Sequence, residues 1–202
     1  MTMFNWKNTP RYASGTLAVL LSLYFIYAER GDVAILAASI FFLFICITDT
    51  LVSRIPNIAT MTIVLCGLGL HGYTAGMSGL LFSLLGLLTG FALLFIPSLL
   101  GGMGAGDVKA LAALGSLLGA GDVSQVFLYA GLAGGILAIL HYALAHNLKE
   151  KCFAGARTLR AFAYTHDIDS LKPSAPREPL RFPYAAAIAF GFYAYVSWGG
   201  LL

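Results

Sequence analysis

The chain has 202 residues, with 12 Lys or Arg against 9 Asp or Glu and a formal net charge of +3. Apolar residues make up 59%, charged ones only 10%, and the mean hydropathy is +0.83. A soluble globule of this size lacks the interior to hide so much apolar surface, disorder is excluded by the same composition, and the small charge offers no stripe for tracking phosphates. The three cysteines, Cys46, Cys66 and Cys152, are far apart and contain no C-x-x-C, so neither a disulfide framework nor a zinc knuckle is supported. The composition is that of an integral membrane protein.

A spanning helix needs about 20 mostly apolar residues. Runs of that kind predict an all-α, polytopic bundle of about seven transmembrane helices at 12–28, 32–49, 56–73, 79–100, 107–120, 122–147 and 183–202. The first run follows Lys7 and Arg11 and ends at Glu29-Arg30-Gly31-Asp32 without a small-x-small cleavage site, so it reads as a retained anchor. The fifth is short: its 14 residues at about 1.5 Å each reach ~21 Å, less than the ~30 Å hydrocarbon core. Orientation follows from the basic residues. With the N-terminus inside, 11 of the 12 fall on the cytoplasmic side and only Arg30 outside. Seven of them lie in the polar segment 148–182, where Phe153, Ala156, Leu159 and Ala163 recur at helical spacing, as in an interfacial helix against anionic headgroups.

Ionisable residues in or beside spans are costly and therefore candidates for function. Asp32 and Asp122 stand at helix starts, where a carboxylate caps the helix and favours its dipole. Asp49 is placed otherwise, at the C-terminal end of a span, ahead of Thr50-Leu51-Val52-Ser53-Arg54-Ile55-Pro56-Asn57, with Pro56 starting the next helix. Asp107 follows Gly101-Gly102-Met103-Gly104-Ala105-Gly106 and precedes Val108-Lys109. Both aspartates fall at the cytoplasmic membrane face on this topology, 58 residues apart in sequence. Two carboxyls held close cannot both ionise, so one serves as base on a water and the other as acid toward a peptide carbonyl. Glycines beside them let backbone approach an extended substrate strand. The same residues also fit a tight interfacial turn capped by Asp107, with Arg54 and Lys109 as inside anchors.

Gly104-Ala105-Gly106-Asp107 is a G-x-G-D motif, and Asp49 with Arg54-Ile55-Pro56-Asn57 resembles the other aspartate box of the type IV prepilin peptidases. Phe182-Pro183-Tyr184-Ala185-Ala186-Ala187-Ile188-Ala189 is similar to their final helix. The resemblance implies an aspartic endopeptidase that removes the basic leader from type IV pilin-like precursors at the cytoplasmic face of the inner membrane. It implies Asp49 and Asp107 as the catalytic pair, with Gly104, Gly106, Lys109, Arg54, Pro56 and Asn57 as substrate-binding or supporting residues. It further implies a six-helix core, so residues 1–31 are a cytoplasmic tail and an added helix, and 32–202 the peptidase-like domain. The long bifunctional members carry paired C-x-x-C motifs and also methylate the product. This chain lacks those motifs and resembles the short, peptidase-only members that serve Flp/Tad-type pili.

No metal or other cofactor is implied. His141 and His146 are five apart, about 140° around a helix rather than on one face. His71 reads as a loop or interface residue, and His166 with Asp167 and Asp169 as a solvated turn. Two other readings stay open: a presenilin- or signal-peptide-peptidase-like protease, which shares G-x-G-D but pairs it with Tyr-Asp and Pro-Ala-Leu boxes missing here, and a transporter or assembly subunit whose aspartates carry protons or ions. The expected partners are a pilin-like precursor and lipid, with no nucleic acid.

Overall fold

The computed structural model describes residues 9–29, 31–99, 103–144 and 184–200. The predicted basic loop at 148–182, with Cys152 and His166, lies outside the described residues, as do Lys7, Arg30, Gly101, Gly102, His146 and Pro183. The described chain forms five helices: α1 (Thr9–Ala28), α2 (Val33–Val52), α3 (Asn57–Leu99), α4 (Ala105–Leu144) and α5 (Tyr184–Trp198).

The expectation of about seven transmembrane helices is therefore corrected. Among the described residues three helical stretches are long and apolar enough to cross a membrane: Val33–Val52, Asn57–Leu99 and Ala105–Leu140. At 15 residues, α5 is too short. In α1, the polar residues Arg11, Ser14 and Thr16 dilute the first half, so the predicted anchor at 12–28 is helical but falls short of the three. The boundaries expected near residues 73–79 and 120–122 are kinks between two helical arms rather than loops. Each shrinks to one glycine of positive φ, Gly76 (φ 61°) in α3 and Gly119 (φ 85°) in α4, a region that side-chain-bearing residues avoid.

Both long helices double back at these glycines. A Cβ on Gly79 would overlap the carbonyl of His71, although residues eight apart in a straight helix are separated by about 12 Å. In α4, Gly134 packs on the Tyr184 ring, and Asp107 lies within electrostatic reach of the same side chain. A straight helix would hold those two positions about 40 Å apart. The short fifth run is thus the first arm of a 40-residue helix.

Lipid tails give helices no hydrophobic reason to associate, so close packing and buried hydrogen bonds hold the arms together. A Cβ on Gly67 would lie 2.6 Å from the Ser116 carbonyl oxygen, one on Gly90 2.5 Å from that of Leu111, and one on Gly86 would overlap the Gly115 carbonyl. Along this glycine seam the Ser83 hydroxyl donates to the Ser116 carbonyl at 2.7 Å. His71 belongs to the same packing: its Nε2 lies 2.8 Å from the Leu117 carbonyl, and its ring meets Phe82 edge-on. On the other side, α1, α2 and α5 share an aromatic cluster. Phe25 stacks on Tyr193 at 4.5 Å between centroids, and Phe42 packs against Phe192 at 5.4 Å. The buried Tyr193 hydroxyl donates to the Ser22 hydroxyl at 2.8 Å, a bond worth about 1 kcal/mol.

Candidate active site

Helix α2 starts as the sequence indicates. Oδ1 of Asp32 accepts the amides of Ala34 (2.8 Å) and Ile35 (3.1 Å), so Asp32 is its N-cap. Its other end is less ordinary. Ser53 adopts the left-handed conformation (φ 55°) and donates its amide to the Asp49 carbonyl at 2.9 Å, closing the last turn around Asp49. Asp49 therefore lies in the last turn of α2, which ends at Val52. The chain then runs extended through Arg54-Ile55-Pro56, and the Pro56 carbonyl accepts the Thr60 amide as α3 begins. Pro56 thus stands one position ahead of the helix that it was expected to open.

At α4 the Gly104 carbonyl accepts the Asp107 amide, and the Gly104 amide donates back to Oδ2 of Asp107, both at 3.1 Å. This reciprocal pair is one half of a capping box, with Gly104 as cap and Asp107 three residues on. Asp107 thus caps α4, as the plain interfacial-turn reading also expects. Gly106 lets the turn lie against the segment after α2, since a Cβ there would be 3.4 Å from Cβ of Ile55. Lys109 ties the same two segments together, donating from Nζ to Oδ1 of Asn57 at 3.2 Å. Arg54 is exposed beside them.

These connections bring the C-terminal turn of α2, the start of α3 and the N-terminal turn of α4 to one end of the bundle. Asp49 and Asp107 are near enough there for the charge of one to act on the other. The start of α5 joins them: the Ala185 amide donates to the Asp49 carboxyl, and Tyr184 lies within electrostatic reach of Asp107. Oδ2 of Asp49 is buried and has no hydrogen-bond partner among the described residues. A half-buried carboxyl with one oxygen bonded by an amide and the other without a partner among the described residues can still accept from a water.

Three contributors, Arg11, Tyr184 and Ala185, escape a reading of the residues alone. Arg11 counts in the sequence only as one more inside charge, yet its guanidinium donates to the Asp49 backbone carbonyl at 2.5 Å. Nothing in a 38-residue separation signals that contact. The contribution of Tyr184 and Ala185 was foreshadowed only by the resemblance of 182–189 to a final helix. Asp122 lies in the first turn of the second arm of α4, just after the break at Gly119, in keeping with its reading at a helix start, and it accepts a hydrogen bond from the Tyr195 hydroxyl. Among the described residues no group of three or more His, Cys, Asp or Glu could hold a metal ion.

Fold and site together define a polytopic helical membrane protein with two carboxyls within electrostatic reach at one end of its bundle. The family model of the Type IV leader peptidase family matches residues 35–139, just over half of the chain and inclusive of both aspartates, and the chain belongs to that family. Its role is accordingly that of a leader peptidase of the aspartic type. A search of the curated proteins and a search of the solved structures each gave no match.

Proposed function

We propose that this chain is the endopeptidase that removes the basic leader from type IV pilin-like precursors of the Flp/Tad kind at the cytoplasmic membrane face, with Asp49 and Asp107 as the catalytic pair. The observation that carries the reading is the convergence of the two carboxyls, from helix ends 58 residues apart, within each other's electrostatic reach. The ionised carboxyl takes a proton from water as its oxygen attacks the scissile carbonyl carbon. The protonated carboxyl gives its proton to the carbonyl oxygen, forming a neutral gem-diol. Collapse of the diol breaks the C–N bond, the departing nitrogen takes up a proton, and the pair returns to its singly protonated state. No metal or covalent nucleophile enters this cycle.

A Cβ on Gly104 would lie 3.3 Å from Oδ2 of Asp107, so glycine there keeps that oxygen uncrowded, while Lys109 with Asn57 fixes the turn against the start of α3. Arg11, Arg54 and Lys109 all lie at the same end of the bundle as the two aspartates, which favours the cytoplasmic side for the site. The leader of a precursor would stay on that face while its apolar helix lies in lipid. A bond deep in that helix would be protected, because helical carbonyls in lipid are already paired. The test is co-expression with pilin-like precursors and N-terminal sequencing of the product. Cleavage between leader and apolar helix is expected, and an uncut precursor beside well-inserted enzyme would refute the assignment.

A further inference from the structure

The helix that precedes the matched region, α1, lies against the turn that carries Asp49. Arg11 sits in its first turns, and its Nη2 donates to the Asp49 carbonyl, which also accepts the Ser53 amide. That carbonyl is one of the last of α2, where helix ends leave acceptors unpaired and the dipole favours a cation. One turn further along α1, Gly15 faces Thr50, and a Cβ on Gly15 would overlap the Thr50 hydroxyl. The two backbones are therefore in close approach at the residue next to Asp49. Higher up, α1 holds α5 through the Ser22–Tyr193 hydrogen bond and the Phe25–Tyr193 stack, and α5 supplies the Ala185 amide to the Asp49 carboxyl. Both helices that touch Asp49 are thus braced by α1.

We propose that α1 is a working part of the active site, and that Arg11 is a positioning residue that fixes the last turn of α2 so that the Asp49 carboxyl meets Asp107 and the substrate. The inference rests on the paired-aspartate reading above, and it gives the added helix a role. The bland alternative is that Arg11 is an inside anchor, set at the membrane face like any positive residue flanking a helix. The two differ in what they disturb. An anchor governs how much enzyme inserts, whereas a brace on Asp49 governs the turnover of each inserted molecule. Arg11 touches the α2 backbone rather than the expected path of the precursor, so its loss should fall on kcat and spare KM. Misplacement of a reacting group by ~1 Å costs up to about a hundredfold, so the expected loss is about ten- to a hundredfold.

The experiment measures kcat and KM for precursor cleavage by purified, intact enzyme in proteoliposomes, normalised to inserted protein. Arg11→Gln should lower kcat by at least about tenfold and leave KM within about twofold. Arg11→Ala should lose as much and regain part of its rate when guanidinium ion is added to the buffer, a rescue that a lost anchor would not show. Gly15→Leu, which drives α1 away from Thr50 while keeping Arg11, should show the same kcat loss. Wild-type cleavage with a normal kcat in Arg11→Gln would overturn the inference and leave the proposed function standing. An inactive wild type with every precursor would remove the proposed function and the inference together.

Discussion

Replacing Gly86 by Ala tests the glycine seam that places Asp107. In α3 a Cβ at position 86 would overlap the carbonyl of Gly115 on the first arm of α4, two turns along from Asp107. The neighbour is backbone and cannot rotate aside, so the arms must separate. Overpacking of this kind costs about 1–3 kcal/mol. Separation also stretches the buried Ser83–Ser116 hydrogen bond, worth about 1 kcal/mol. Against this, Ala in place of Gly in a helix returns on the order of 1 kcal/mol. The balance is a net loss of about 1–3 kcal/mol. Gly69 is the control, since it lies in the same helix with nothing within 4 Å of a new Cβ, and Gly69→Ala should hold or gain about 0.5–1 kcal/mol. Denaturant unfolding of purified protein in detergent, followed by far-UV circular dichroism, measures both. If Gly86→Ala proves as stable as Gly69→Ala, the close approach of the two arms is wrong, and the derived placement of Asp107 loses its support.

Three further outcomes are expected. Asp32→Ala should cost about 1 kcal/mol of stability, through the lost cap on α2, and leave cleavage nearly intact; a collapse of activity would give Asp32 a role in the chemistry. Cleavage should persist in EDTA and need no S-adenosylmethionine, and loss in EDTA with recovery on added zinc would point to a metallopeptidase instead. A single cysteine at Arg54 should react with a membrane-impermeant thiol reagent from the cytoplasmic side alone, and labelling from outside would reverse the proposed orientation.

Much of the local structure of the candidate site is legible because its signals are local. The G-x-G-D run puts an acidic residue three positions after a glycine cap, and the structure forms that turn through the Gly104 amide on Asp107. The reading of Asp32 as a cap is equally local, and the two amides on its Oδ1 match it. The helix count failed for a related reason. The reading looked for polar breaks between spans, but a single glycine of positive φ reverses the chain without one, so Gly76 and Gly119 left 43- and 40-residue helices where four spans were expected. Arg11 on Asp49 and Ala185 on Asp49 are contacts between distant segments, which no periodicity or spacing encodes.

The central claim is that two carboxyls, acting as one unit, hydrolyse the precursor. Asp49→Asn and Asp107→Asn keep size and most hydrogen bonding while removing the ability to cycle a proton. Both variants should insert normally, because a neutral amide near lipid is cheaper to desolvate than a carboxylate. Cleavage of a pilin-like precursor, scored by N-terminal sequencing with enzyme normalised to inserted protein, should fall to background in either single variant, with the double variant no worse, since residues acting as a unit are not additive. Near-normal cleavage by well-inserted Asp49→Asn would contradict the paired-carboxylate account.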